Sequence, residues 1–251
     1  LVAYSLQKQL QKLSYLSSNI NFIPDSFSNK IHTDAFQNFR NKFILSTSRY
    51  SSFEGLLLSN GIFDKIIVGS DQVFRMHYNH IFMLNWVSGQ KTLISYASSF
   101  GAAKLKANLF EKTKSKKFLS RFDAHSVRES SGVHIMKNTF GLDAIQVLDP
   151  TLLLDPKDYQ PIIDSEPCAQ PEKYVGVMFL DDEHWDEFRA SALYKKLSAE
   201  YEIVNICKDE QGEFRSVPQW LSYIKHASLM VTDSFHATVF SIIYRKQFIT
   251  R

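Results

Sequence analysis

Residues 229–243 read LMVTDSFHATVFSII. An apolar run closing on Thr232 leads into Asp233-Ser234-Phe235-His236, and a second apolar run follows with Val239, Phe240, Ile242 and Ile243. This is the pattern of a buried strand that turns at once into a packed helix. Asp and Ser both make good N-caps, so the turn is well specified. His236 then falls on the first turn of a helix at the carboxyl end of a strand, which is where ligands bind in open α/β sheets.

The same alternation extends outward from this stretch. YVGVMFL reads as a strand, EHWDEFRASALYKKLSAEY as a helix, EIVNIC as a strand, and VPQWLSYIKHA as a helix with Pro218 near its start. QFIT begins one more strand. Upstream, residues 1–14 read as an amphipathic helix with core face Leu1, Leu6, Leu10 and Leu13. Residues 15–26 are a short strand and loop, and residues 27–60 are polar and irregular with one helix at DAFQNFRNKF. Strands are expected at Lys65–Val68, in KTLISYASSFG and at the start of AHSVRESSGVHIMKNTFG, whose helix stops at Gly141. The stretch from Ala103 to Arg121 reads as helix with a basic solvated face at KTKSKK, and AIQVLDPTLLL as a strand ended by Asp149-Pro150. Four of the seven prolines lie in residues 155–172, a boundary signal. The expectation is two Rossmann-like α/β domains, residues 1–156 and 172–251, facing each other across a cleft and joined by a linker at 157–171.

Bulk composition narrows the function classes. The chain has 251 residues, of which 44% are hydrophobic, enough for a packed core. Charged residues at 22% exclude a disordered reading. A net charge of +3 suits an anionic small ligand or an acidic glycan and is too weak to argue for nucleic acid. Two cysteines, Cys168 and Cys207, form no framework and no CxxC, so a reducing cytoplasm is the default. No apolar run is long enough to span a bilayer, and there is no GxGxxG, P-loop or HExxH.

Four strand ends carry the candidate chemistry, each with a plainer account beside it. At Asp233-Ser234-Phe235-His236 the helix N-terminus offers free N–H groups and positive potential. That potential disfavours imidazolium and keeps His236 able to accept a proton; the alternative is a histidine that only packs. Arg128 ends a short strand before a helix capped by Ser130 or Ser131, and a guanidinium there can grip phosphate or carboxylate; the alternative is a surface pair with Glu129. Gly69-Ser70-Asp71-Gln72 follows a strand, and Asp71 can orient a sugar hydroxyl or take its proton; a plain turn is the alternative. Ser98 and Ser99 end another strand, where small residues allow a ligand close or only let domains pack. Asp181-Asp182-Glu183 with His184 reads as ordinary helix N-terminal chemistry rather than a metal site. His77 and His80 lack a carboxylate or Cys partner at metal spacing.

Together, FDKIIVGSDQVF, LISYASSFG, SVRESSG, VLDPTLLL and VTDSFHATVFSI resemble, in this order, the motifs of the polysaccharide pyruvyl transferase family. FRNKFILS and the VPQWLSYIKHA helix add to the likeness, which covers nearly the whole chain. Two positions depart from the family pattern. Ser234 stands where many members carry Arg, although a subgroup reads SFH, and Lys246-Gln247-Phe248 stands where Lys-Pro-Phe is common.

The resemblance implies the two-domain architecture of GT-B glycosyltransferases, here truncated at both ends. It implies transfer of the pyruvyl unit of phosphoenolpyruvate to a glycan sugar as a ketal. Phosphoenolpyruvate would be a co-substrate, with no resident cofactor and no metal. The acceptor would be a saccharide, free or lipid-linked, met in the cytoplasm or at the inner face of the membrane. On that reading His236 does acid/base work and Asp71 positions the acceptor, with Ser70, Gln72, Ser98, Ser99, Arg128, Asp233, Ser234 and Lys246 binding substrate. The competing functions are a nucleotide-sugar glycosyltransferase on the same frame and a catalytically silent glycan-binding protein.

Overall fold

A computed structural model describes residues 1–24, 34–75 and 80–250. The chain divides into two compact units, Leu1–Ile31 with Ile44–Leu153, and His32–Phe43 with Leu154–Arg251. Both are α/β, and each holds a four-stranded, fully parallel sheet. His77 and residues 25–33 lie outside the described residues.

In the first unit helix α1 spans Val2–Lys12. Its fully buried residues are Tyr4 and Ser5; of the expected face, Leu1, Leu6 and Leu10 are half-buried and Leu13 is exposed. The helix lies against the 3-10 turn Pro150–Leu153. Helix α2 (Asp34–Phe43) falls where DAFQNFRNKF indicated, but it packs with the second unit. Helix α3 is Phe53–Leu58, and the sheet follows with β1 (Lys65–Val68) and β2 (Thr92–Ser98). Helix α4 is Leu109–Leu119, shorter than expected because Asn108 starts it with a capping box to Glu111. Then come β3 (Ala124–Val127), α5 (Ser130–Ile135, continued by one π turn to Phe140) and β4 (Ile145–Gln146).

The N-cap of α5 is Glu129, with no side-chain cap bond, rather than Ser130 or Ser131. The expected strand in AIQVLDPTLLL shrinks to two residues. The Asp149 carboxylate accepts the Thr151 N–H, an Asx turn that bends the chain away from the sheet. The strands run in the order β1-β2-β3-β4, over a core that includes Phe74, Trp86, Phe100, Met136 and Phe140.

In the second unit helix α6 (Pro156–Ile163) occupies much of the segment expected as a linker. Pro156 lies in its first turn, where a missing N–H costs nothing, and its Tyr159, Ile162 and Ile163 are buried. Next come β5 (Tyr174–Met178), α7 (Asp182–Ala190), α8 (Ala192–Ser198) and β6 (Glu202–Asn205). The single helix expected across 183–201 is broken at Ser191, whose extended backbone and hydroxyl restart it as a new N-cap for Tyr194. Helix α9 (Val217–His226), β7 (Leu229–Thr232), α10 (Phe235–Ile243) and β8 (Phe248–Thr250) complete the unit.

Gly176 in β5 is required by close packing, since a Cβ there would sit 2.6 Å from the Met230 sulfur. The strand order is β6-β5-β7-β8. The chain therefore steps from β5 to one side and then returns to the other, and this reversal places a topological switch point between β5 and β7. No helix among the described residues is long and apolar enough to cross a membrane.

Candidate functional site

At the switch point the carboxyl ends of β5 and β7 are tied together. Thr232, wholly buried, donates its hydroxyl to the Met178 carbonyl at 2.7 Å and accepts the Ser234 N–H at 3.0 Å. Ser234 is the N-cap of α10, and its hydroxyl accepts from Ala237 N–H. This fixes Asp233 in the loop. One of its oxygens accepts the Leu180 N–H at 2.9 Å, and the other lies 2.5 Å from His184 Nδ1. A carboxylate only accepts, so His184 Nδ1 carries the proton and a neutral ring keeps its lone pair on Nε2. Phe179 meets the same ring edge-on at 6.2 Å. The Asp233 side chain is 10% exposed and that of His184 26%.

Asp181 completes a group with these two, each bringing one ligand atom within 4.8 Å of the others. Two carboxylates and an imidazole form a donor set suited to a divalent ion. In the fold as it stands the His184–Asp233 contact is a hydrogen bond. His236, half-buried, is the second residue of α10 and packs its ring on Phe235 at 5.2 Å. Lys246 does not join this cluster. It precedes β8, at the opposite end of the sheet, where burial and then the charge of Lys225 lower its pKa. Burial pushes the Cys207 thiol up to about 11, which leaves it protonated and a poor nucleophile.

The first unit gathers its candidates at the carboxyl ends of β1, β2 and β3. Asp71 follows β1 with φ +96°, a region that L side chains rarely adopt. Its carbonyl accepts the Ser99 N–H at 2.9 Å, and its exposed carboxylate accepts the Gln72 N–H at 2.8 Å. Strain of this kind collects at functional sites. Opposite, a register shift in β2 with Ala97 at φ +52° brings Ser98 and Ser99 to the strand end. Gly101, at φ +65°, leaves room for Gln72 and Arg75, which a Cβ would meet at 2.8 and 2.7 Å.

The serines are held internally. Ser70 donates to Asp149 at 2.6 Å, Ser98 to the Gly69 carbonyl at 3.2 Å, and Ser99 to Glu129 at 2.5 Å. Arg128 directly follows β3, its side chain 13% exposed, 3.5 Å from Asp149 and 3.7 Å from Glu129. Both are longer than the 2.7–2.9 Å usual for a charge-assisted bond. Burial and then the Asp149 charge raise the Tyr96 hydroxyl pKa.

Over residues 1–250 the sequence matches the family described as polysaccharide pyruvyl transferase. The chain belongs to the polysaccharide pyruvyl transferase family. No curated protein matches it. Membership makes the chain a transferase with a saccharide acceptor.

Four of the residues anticipated from the pyruvyl transferase motifs lie together in the first unit, Ser70, Ser98, Ser99 and Arg128, with Asp71 and Gln72 beside them. Asp233, Ser234 and His236 lie together in the second. Asp181 and His184, ordinary helix-start residues by sequence, stand with Asp233 in the fold. Asp181 is indeed the N-cap of α7, but it makes no side-chain cap bond. The sequence signal for this grouping is an Asp and a His three residues apart after β5, the strand that neighbours β7.

Proposed function

We propose that this pyruvyl transferase takes its pyruvyl unit from phosphoenolpyruvate and sets it as a ketal on a sugar of a cell-surface glycan, lipid-linked during assembly on the cytoplasmic side. The observation that carries this reading is His236 on the first turn after β7, at a switch point, in a chain of this family. Protonation of C3 makes an oxocarbenium-like centre at C2, a sugar hydroxyl attacks it, phosphate leaves with the enol oxygen, and a second hydroxyl closes the ring. Two hydroxyl protons are released; one is balanced by the new methyl group and the other leaves with phosphate. A residue that both gives and takes a proton suits this sequence, and His236 has that chemistry.

Arg128 is the donor's anion grip and Asp71 the acceptor's hydroxyl partner. Ser70, Ser98, Ser99 and Ser234 support them by shaping the strand ends. Phosphoenolpyruvate enters as co-substrate, with no resident cofactor. The test is mass spectrometry of acceptor glycans after incubation with phosphoenolpyruvate. A product heavier by one pyruvyl ketal is expected. Transfer from a nucleotide sugar instead, or glycan binding without any product, overturns the reading.

A further inference from the structure

The chain's positive excess is concentrated in one place. The whole sequence carries +3, yet between Lys104 and Lys117 six lysines stand against Glu111 alone, a local +5, so all other residues together come to −2. Glu111 is engaged elsewhere, because its carboxylate accepts the Asn108 N–H at 2.9 Å in the capping box. Among the described residues none of the six lysines has an ion-pair partner.

Helix α4 turns Ser115 and Leu119 inward, both fully buried. It turns Leu109 and Phe110 outward, 80% and 75% exposed. Helical spacing lines Phe110 up with Lys114 and Lys117, and Leu109 with Thr113 and Lys116. The outward side of α4 is therefore an apolar tip on a cationic stem. The tip leaves the loop after β2, at the same end of the sheet as Ser98, Ser99 and Arg128.

We propose that the start of α4 is a docking surface for an anionic phospholipid bilayer. Leu109 and Phe110 enter the acyl boundary, and Lys104, Lys106, Lys114 and Lys117 lie among the headgroups. Adjacent apolar side chains projecting from a lysine-rich helix are the chemistry of interfacial attachment. An acidic glycan would pair with the lysines but gives Leu109 and Phe110 nothing to bury. Docking here sets the candidate residues of the first unit towards the membrane surface, whatever reaction they serve.

The test is sedimentation of the full chain with vesicles of phosphatidylcholine alone and of equal parts phosphatidylcholine and phosphatidylglycerol. Wild type is expected to pellet with the anionic vesicles and to release as salt rises. The variants L109S/F110S and K114E/K117E should each bind about tenfold more weakly while melting with wild type, because the changed side chains are exposed. A Phe110→Trp variant should shift its emission to the blue on binding. The proposal is overturned if wild type stays in the supernatant, or if L109S/F110S binds as tightly as wild type. A preference for soluble polygalacturonate over vesicles, unaffected by L109S/F110S, overturns it in favour of a glycan surface.

Discussion

At the carboxyl end of the first sheet, Asp149 is buried and takes Ser70, Thr151 and Arg128 as partners, while Glu129 takes Ser99 and the other side of Arg128. At the carboxyl end of the second, Asp233 and His184 form one pair, and His236 sits half-buried on the first turn of α10, which follows. In the first cluster Ser70, Thr151 and Ser99 donate their hydroxyls to its own acids. The second holds two half-buried imidazoles at a reversal of strand order. The described strands of the first sheet run in simple sequence, without such a reversal. A network of short polar contacts suits holding a ligand, and an imidazole suits moving a proton.

The sharpest way to break this division is His236→Ala. Turnover of pyruvyl transfer should fall by about 10²–10⁴, with the melting temperature nearly unchanged because the side chain is not core. A variant that melts early yet keeps its rate per folded molecule would reverse the assignment. Asp149→Ala should act in the opposite sense. It leaves Arg128 and two hydroxyls without a buried acceptor, so denaturant unfolding of the first unit should lose about 3–5 kcal/mol. An unchanged midpoint would show the network to be ornamental.

Arg128→Lys should be milder on stability and raise the KM for phosphoenolpyruvate about tenfold, since Lys cannot make two parallel contacts. An unaltered KM removes Arg128 from donor binding.

A smaller effect concerns pH. Burial lowers the His125 pKa below 6.5, against the opposing Leu119 carbonyl bond. The unfolded chain then takes up a proton before the folded one does. This contribution to stability is complete above pH 6.5 and declines as pH falls towards the folded value. Melting curves of wild type and His125→Gln across that window should converge at low pH; parallel curves would exclude His125 as the cause. The smallest expected effect is that of a chelator, which should leave turnover as it was. Loss of activity restored by Mn²⁺ would make Asp181, His184 and Asp233 metal ligands.

Much of the fold was legible because strand runs such as Lys65–Val68 and Leu229–Thr232 are apolar, β-branched and closed by turn residues. The same holds for the capped helix after Ser234. Local signals failed where a long-range contact overrode them. Pro161 and its neighbouring prolines read as a linker, yet Tyr159 and Ile162 bury against the second unit and hold a helix. The leucines of α1 read as a core stripe, yet only Tyr4 and Ser5 of that helix are fully buried, and the helix lies against the turn at Pro150–Leu153.

The sequence by itself determined the parallel α/β alternation, the family, and the strand ends that close on turn residues. It did so because those depend on periodicity, turn chemistry and ordered motifs along the chain. Tertiary structure alone decided which side chains at those ends are already engaged. Ser70 reaches Asp149 across 79 residues and His184 reaches Asp233 across 49. Both pairings follow from which strands become neighbours, β5 beside β7 rather than β6 beside β7, and the hydrophobic period of a strand carries no record of its neighbour.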